Sequence, residues 1–146
     1  MSASNAFETA LLQHIFTNTA IANVGDATGL PASATAGSLY VSLHTADPGE
    51  AGAQNTSEAG YTSYARVAVA RTSGGWTVSG ASAVNTAVIN FPAATGGTAT
   101  VTHFGVGTST SGAGMLLFSG PLTASLAVSS GITPSFAAGA LSVTCD

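Results

Sequence analysis

The chain reads as a mainly β protein, a jelly roll or related antiparallel β-sandwich of about eight strands with one N-terminal α-helix. Three observations predict this. Apolar and polar side chains alternate with a period of two at 39–44 and again at 64–71; short strand-like runs bounded by Gly, Ser or Pro follow at regular spacing; and helical spacing occurs only near the N-terminus. The 146 residues suit one domain able to bury roughly 68–70% of its unfolded surface without metals or disulfides. The expected organisation is an N-terminal helix at 1–24, a linker or arm at 25–38 and the β-sandwich at 39–146.

The helix is predicted from Phe7, Leu11, Leu12, Ile15 and Phe16, which recur at helical spacing. Ser4 or Asn5 can cap it, with Glu8 three residues after Asn5 as in a capping box. It should end by 23–25, where Gly25 offers a left-handed stop. The small and polar stretch 25–37, GDATGLPASATAG, reads as a linker.

Leu39, Val41 and Leu43 alternate with Tyr40, Ser42 and His44, as in a strand with one buried face. Asp47-Pro48-Gly49-Glu50 stops it, since Pro48 has no amide hydrogen for a ladder. Alternation returns with Tyr64, Arg66, Ala68 and Ala70 on one face and Ala65, Val67, Val69 and Arg71 on the other. Further strands are expected at 76–78, 83–91, 98–106, 115–122, 125–128, 132–136 and 141–144. No internal period suggests a solenoid or propeller.

Composition narrows function. The chain has two arginines, no lysine, six carboxylates and a net charge of −4, which argues against nucleic acid, whose phosphates are bound through Lys and Arg. Mean hydropathy is +0.41, but no run approaches the roughly 20 apolar residues of a membrane span. So few charges beside 45% apolar residues imply surface covered by neighbouring subunits. Cys145 is the single cysteine, so neither an internal disulfide nor a cysteine-type zinc site is expected. The N-terminus lacks the basic region of a secretion signal, and the chain is expected to be made in a bacterial cytoplasm.

Catalytic and cofactor chemistry finds little to use. A P-loop needs the missing lysine, and 105–110, GVGTST, lacks the third glycine of a dinucleotide fingerprint. No G-x-S-x-G elbow accompanies His14, His44 or His103, and the two strand histidines read as partly buried hydrogen-bonders. Asp47, Glu50 and Glu58 share one glycine-rich loop; they read as solvated acids before they read as a glycosidase pair or calcium site. Arg66 and Arg71 are each expected to pair with a carboxylate, and Trp76 to anchor the core. The chain is therefore expected to be no enzyme and to need no cofactor.

The segment LYVSLHTADPGE at 39–50, its Gly/Ser/Glu-rich loop and the YARVAVAR of 64–71 resemble a group of small proteins encoded among the structural genes of tailed bacteriophages. The similarity runs from the helical stretch to about Pro92 and is loose beyond it. Members are often labelled tail-fibre proteins. The resemblance implies a virion protein without catalytic residues, first a capsid decoration or cement protein on the outer capsid surface, alternatively a tail-fibre or receptor-binding module. The expected partners are the major capsid protein and further copies of the chain, as dimer or trimer, with no nucleic acid and no membrane. Phe7, Leu11, Leu12 and Ile15 are the candidate interface residues, the alternative being that they pack against the protein's own sheet.

Overall fold

The computed structural model describes residues 3–25 and 29–145; positions 26–28 of the expected linker, and residues 1, 2 and 146, lie outside the described residues. The chain is mainly β, with antiparallel pairings and one N-terminal helix. It divides into two compact units. One comprises Met1–Ser38, Ala70–Val88 and Phe136–Asp146, the other Leu39–Val69 and Ile89–Ser135.

The first unit holds α1 (Asn5–Thr17) and a sheet of order β3 (Trp76–Ser79), β4 (Ser82–Asn85), β9 (Ser142–Thr144). Ser4 is the cap, its hydroxyl accepting from the Phe7 amide; Glu8 therefore falls one position beyond the capping-box place and is buried. The helix stops at Asn18 and not at Gly25. Asn18 takes the left-handed conformation (φ 54°, ψ 37°), its amide closes on Gln13 O, and its side chain exchanges two hydrogen bonds with the Ser33 backbone. Leu12 and Phe16 face β3 and β4, and Phe16 meets Trp76 edge-to-face with ring centroids 4.7 Å apart. Each such fully buried side chain contributes about 1.5–3 kcal/mol.

Asn85 explains why the run expected at 83–91 is broken. Buried at the end of β4, it donates to the carbonyls of Ala87 and Ala137 and accepts from the Leu141 amide, so the chain turns away around it. It resumes as β5 (Ile89–Asn90), which pairs with β8 (Ser135–Phe136).

The second unit carries a four-stranded sheet of order β2 (Val67–Ala70), β1 (Ser38–His44), β6 (Ala99–Gly107), β7 (Leu116–Val128). Strands β1 and β6 run antiparallel in a register that places Val41 opposite Val106, Ser42 opposite Gly105 and His44 opposite His103. Val41 and Leu43 are buried as the alternation predicts, and Val101 and Val106, which alternation sets on opposite faces of β6, are both buried too, with a register irregularity between Val101 and His103. Ser42 and His44 are buried too, because the loop after β1 folds over their face. β7 is one 13-residue strand where two were expected; Pro121 is tolerated because β7 lies at the sheet edge, and the register shifts beside it, between Val101 and His103. Tyr61, Tyr64 and Phe91 form an aromatic cluster, Tyr64 stacking on Phe91 at 6.4 Å.

Candidate functional site

Three polar anchors in the second unit hold the loop after β1. The first is His44. Its Nδ1 lies 2.8 Å from Thr56 O, an atom that can only accept, so Nδ1 carries the proton and Nε2 accepts from the Ser42 hydroxyl at 2.9 Å. Burial pulls the imidazole below its ordinary pKa, against the carbonyl of Thr56 and the charge of Glu58, which pull it up. A hydroxyl on a neutral histidine resembles the start of a hydrolytic dyad. Here both side chains have no exposure, and the Gly105 backbone lies over them: a Cβ at Gly105 would stand 2.6 Å from His44 Nε2, 2.7 Å from Ser42 Oγ and 2.9 Å from Leu116 Cδ1. No acyl group could reach the hydroxyl, and the pair works as a clasp.

The second anchor is Glu58, a residue expected to be solvated. It takes Arg66 in a fork, Nε to Oε1 at 2.6 Å and Nη2 to Oε2 at 2.7 Å, and Oε1 also accepts from Tyr64 Oη at 2.9 Å. The guanidinium donates further to Ser109 O and Gly112 O, which ties the loop to the β6–β7 turn. The bonds from Glu58 raise the Arg66 pKa, and burial lifts the Tyr64 phenol far above its ordinary range. Gln54 is the third anchor. Fully buried, it donates to Tyr40 O and accepts from the Ser109 amide, while its own amide reaches Ala113 O.

With Glu58 turned inward, Asp47 and Glu50 remain exposed. They wall an open groove of about 570 Å³ whose other side is Leu116 to Pro121 of β7. His103, expected to bond within a strand, does so to Thr102 and also borders this groove.

In the first unit Arg71, expected to meet a carboxylate, pairs with none among the described residues. Its guanidinium donates to the carbonyls of Ile15 and His14, both at 2.6 Å, and of Ala36 at 3.1 Å, so it caps the C-terminal end of α1, where the helix dipole favours a cation. Of the four candidate interface residues, Phe7 is 43% exposed, Leu11 and Ile15 are half-buried, and Leu12 has no exposure. Trp76 is fully buried in this unit, its indole N–H meeting no hydrogen-bond acceptor among the described residues while the ring packs against Phe16.

Gln54, Gly105 and the β7 edge were missed by the sequence reading. Gln54 and Gly105 carry no pattern of their own; their roles follow from what the strand register sets opposite them.

Compared with known protein families, residues 2–144 match the family described as Podophage GP4 fiber I protein gp80. No curated protein matches the chain.

Proposed function

This chain belongs to the podophage GP4 fiber I protein gp80 family, a family of phage structural proteins, and on that premise we propose that it is a non-enzymatic building block of a virion fibre. The observation carrying the reading is the match across residues 2–144, which takes in both units. The chemistry is in keeping with it. The Ser42–His44 pair is closed over by Gly105, and the carboxylate best placed for catalysis, Glu58, is spent on Arg66. Buried polar groups here fasten loops to a sheet, as suits a part that must keep its shape outside a cell.

Capsid decoration is the second reading, with the major capsid protein as partner. One observation favours it: the single helix among the described residues has 13 residues, and no heptad or fibrous repeat accompanies it. Copy number separates the two. Quantitative mass spectrometry of purified particles should give a small number of copies per particle if the chain builds a fibre, with antibody label at the tail. A ratio near one per major capsid subunit would transfer the chain to the shell, and absence from particles would overturn both.

A further inference from the structure

We propose that the pocket beside Arg71 in the first unit binds the oxyanion of a small polar ligand, a carboxylate or phosphate group, on guanidinium N–H bonds that the fold leaves unused.

The pocket has a volume of about 600 Å³, within the roughly 300–1,000 Å³ of small-molecule sites. The last turn of α1, the turn at 71–73 and the start of β3 build its wall, all within this unit. Arg71 is the charged side chain of that wall, and no acid lines it among the described residues. The described acid of this unit is Glu8, seven residues before Ile15 on α1. That is about 10 Å along the helix axis from the carbonyls that hold Arg71.

A guanidinium has five N–H bonds, and three are used here: Nε on Ile15 O, Nη2 on His14 O and Nη1 on Ala36 O. Each Nη therefore keeps one N–H without a protein acceptor among the described residues. The carbonyl end of a helix carries roughly half a negative charge, so the guanidinium it holds stays net positive. A cation fixed in place, without a carboxylate and beside a cavity, suits an oxyanion, which accepts from both Nη groups at once.

The rest of the wall favours a polar ligand larger than the anion itself. The Thr72 and Ser73 hydroxyls and the half-buried Gln13 amide line the pocket, and none of them bonds a protein atom among the described residues. These groups suit the hydroxyls of a ligand. The pocket plays no part in the proposed function, and the inference holds for fibre and capsid alike, so its failure leaves the copy-number result untouched.

The test uses the full chain and three probes, glucose 6-phosphate, glucuronate and glucose, with ionic strength held constant by sodium chloride. Two arginines give two guanidinium Nε–H signals in a nitrogen-15 spectrum, so Arg71 is read directly and Arg66, held by Glu58, is the internal control. The Arg71 signal and the amides of Thr72 and Ser73 should shift and saturate with an anionic probe, with a Kd of about 1–10 mM, while Arg66 stays still. The tighter-binding anion assigns the group as phosphoryl or carboxyl. Glucose should bind at least about tenfold more weakly. Ser73→Asp, which sets a carboxylate beside Arg71, should weaken anion binding at least about tenfold, whereas the similar-sized but neutral Ser73→Asn should stay within about threefold of the parent. Saturation by neither anion up to about 50 mM, equal binding of glucose, parallel shifts of Arg66 and Arg71, or unchanged binding in Ser73→Asp would overturn the proposal.

Discussion

Replacing Gly105 by alanine adds one methyl group, and the structure locates its cost. Gly105 has no positive φ, so alanine suits the backbone and the penalty is steric. The new Cβ would stand 2.6 Å from His44 Nε2 and 2.7 Å from Ser42 Oγ, well inside van der Waals contact. Overpacking of this kind costs about 1–3 kcal/mol. If His44 moves away to make room, the Ser42–His44 bond is lost with both groups still buried, adding about 1–3 kcal/mol. A loss of about 2–6 kcal/mol is expected where both costs are met, against the roughly 5–15 kcal/mol that holds a typical domain. Urea unfolding should show a lowered midpoint with an unchanged slope. Thermal unfolding should fall by roughly 4–24 °C, at about 2–4 °C per kcal/mol for a chain near this size. Gly60→Ala is the control, since nothing lies within 4 Å of its Cβ and its φ is not positive; it should be neutral or slightly stabilising. If Gly105→Ala stays within about 0.5 kcal/mol of the parent, Gly105 does not seal the Ser42–His44 pocket.

Three further outcomes follow from the anchors. Glu58→Gln should destabilise by about 3 kcal/mol, because the Arg66 side chain is 1% exposed and its charge loses its counterion; a change below 1 kcal/mol in urea would refute that role. Because the folded pKa of His44 lies below its unfolded 6.5, the stability it confers is complete above that pH and is lost as pH falls toward the lowered folded value. Urea midpoints measured from pH 7.5 to 5 should therefore decline less steeply in His44→Gln than in the parent, and parallel slopes would contradict this. Arg71→Ala should cost about 1–3 kcal/mol and speed amide exchange in the last turn of α1, with Arg71→Lys recovering only part; unchanged exchange there would refute the capping role.

The local periodicities were legible in the sequence because they depend on near neighbours. The helix stripe of Leu12 and Phe16, the alternation of β1 and the run that became β6 all stand where their spacing puts them. What escaped depends on pairings remote in the chain. Ser42 falls on the polar face of the alternation and His44 reads as only partly buried, and their complete burial appears once the loop that includes Thr56 is laid over them and Gly105 is set opposite by the β1–β6 register. Charge counting gave Arg71 a carboxylate, whereas the bare carbonyls at a helix end meet a guanidinium as well and leave no mark in composition. The break expected between 122 and 125 does not occur, and β7 runs through it, with Pro121 inside the strand where an edge position leaves one side on which the missing N–H costs nothing.

Both arginines are spent on holding the fold, and they are also the two places where a trypsin-like protease could cut, since there is no lysine. Arg66 has its side chain 1% exposed in a fork with Glu58, and Arg71 is clasped by three carbonyls. Neither side chain can enter a protease specificity pocket until its anchor has opened, so cleavage follows the population of the opened state. Digestion by trypsin is thus a direct gauge of anchor opening.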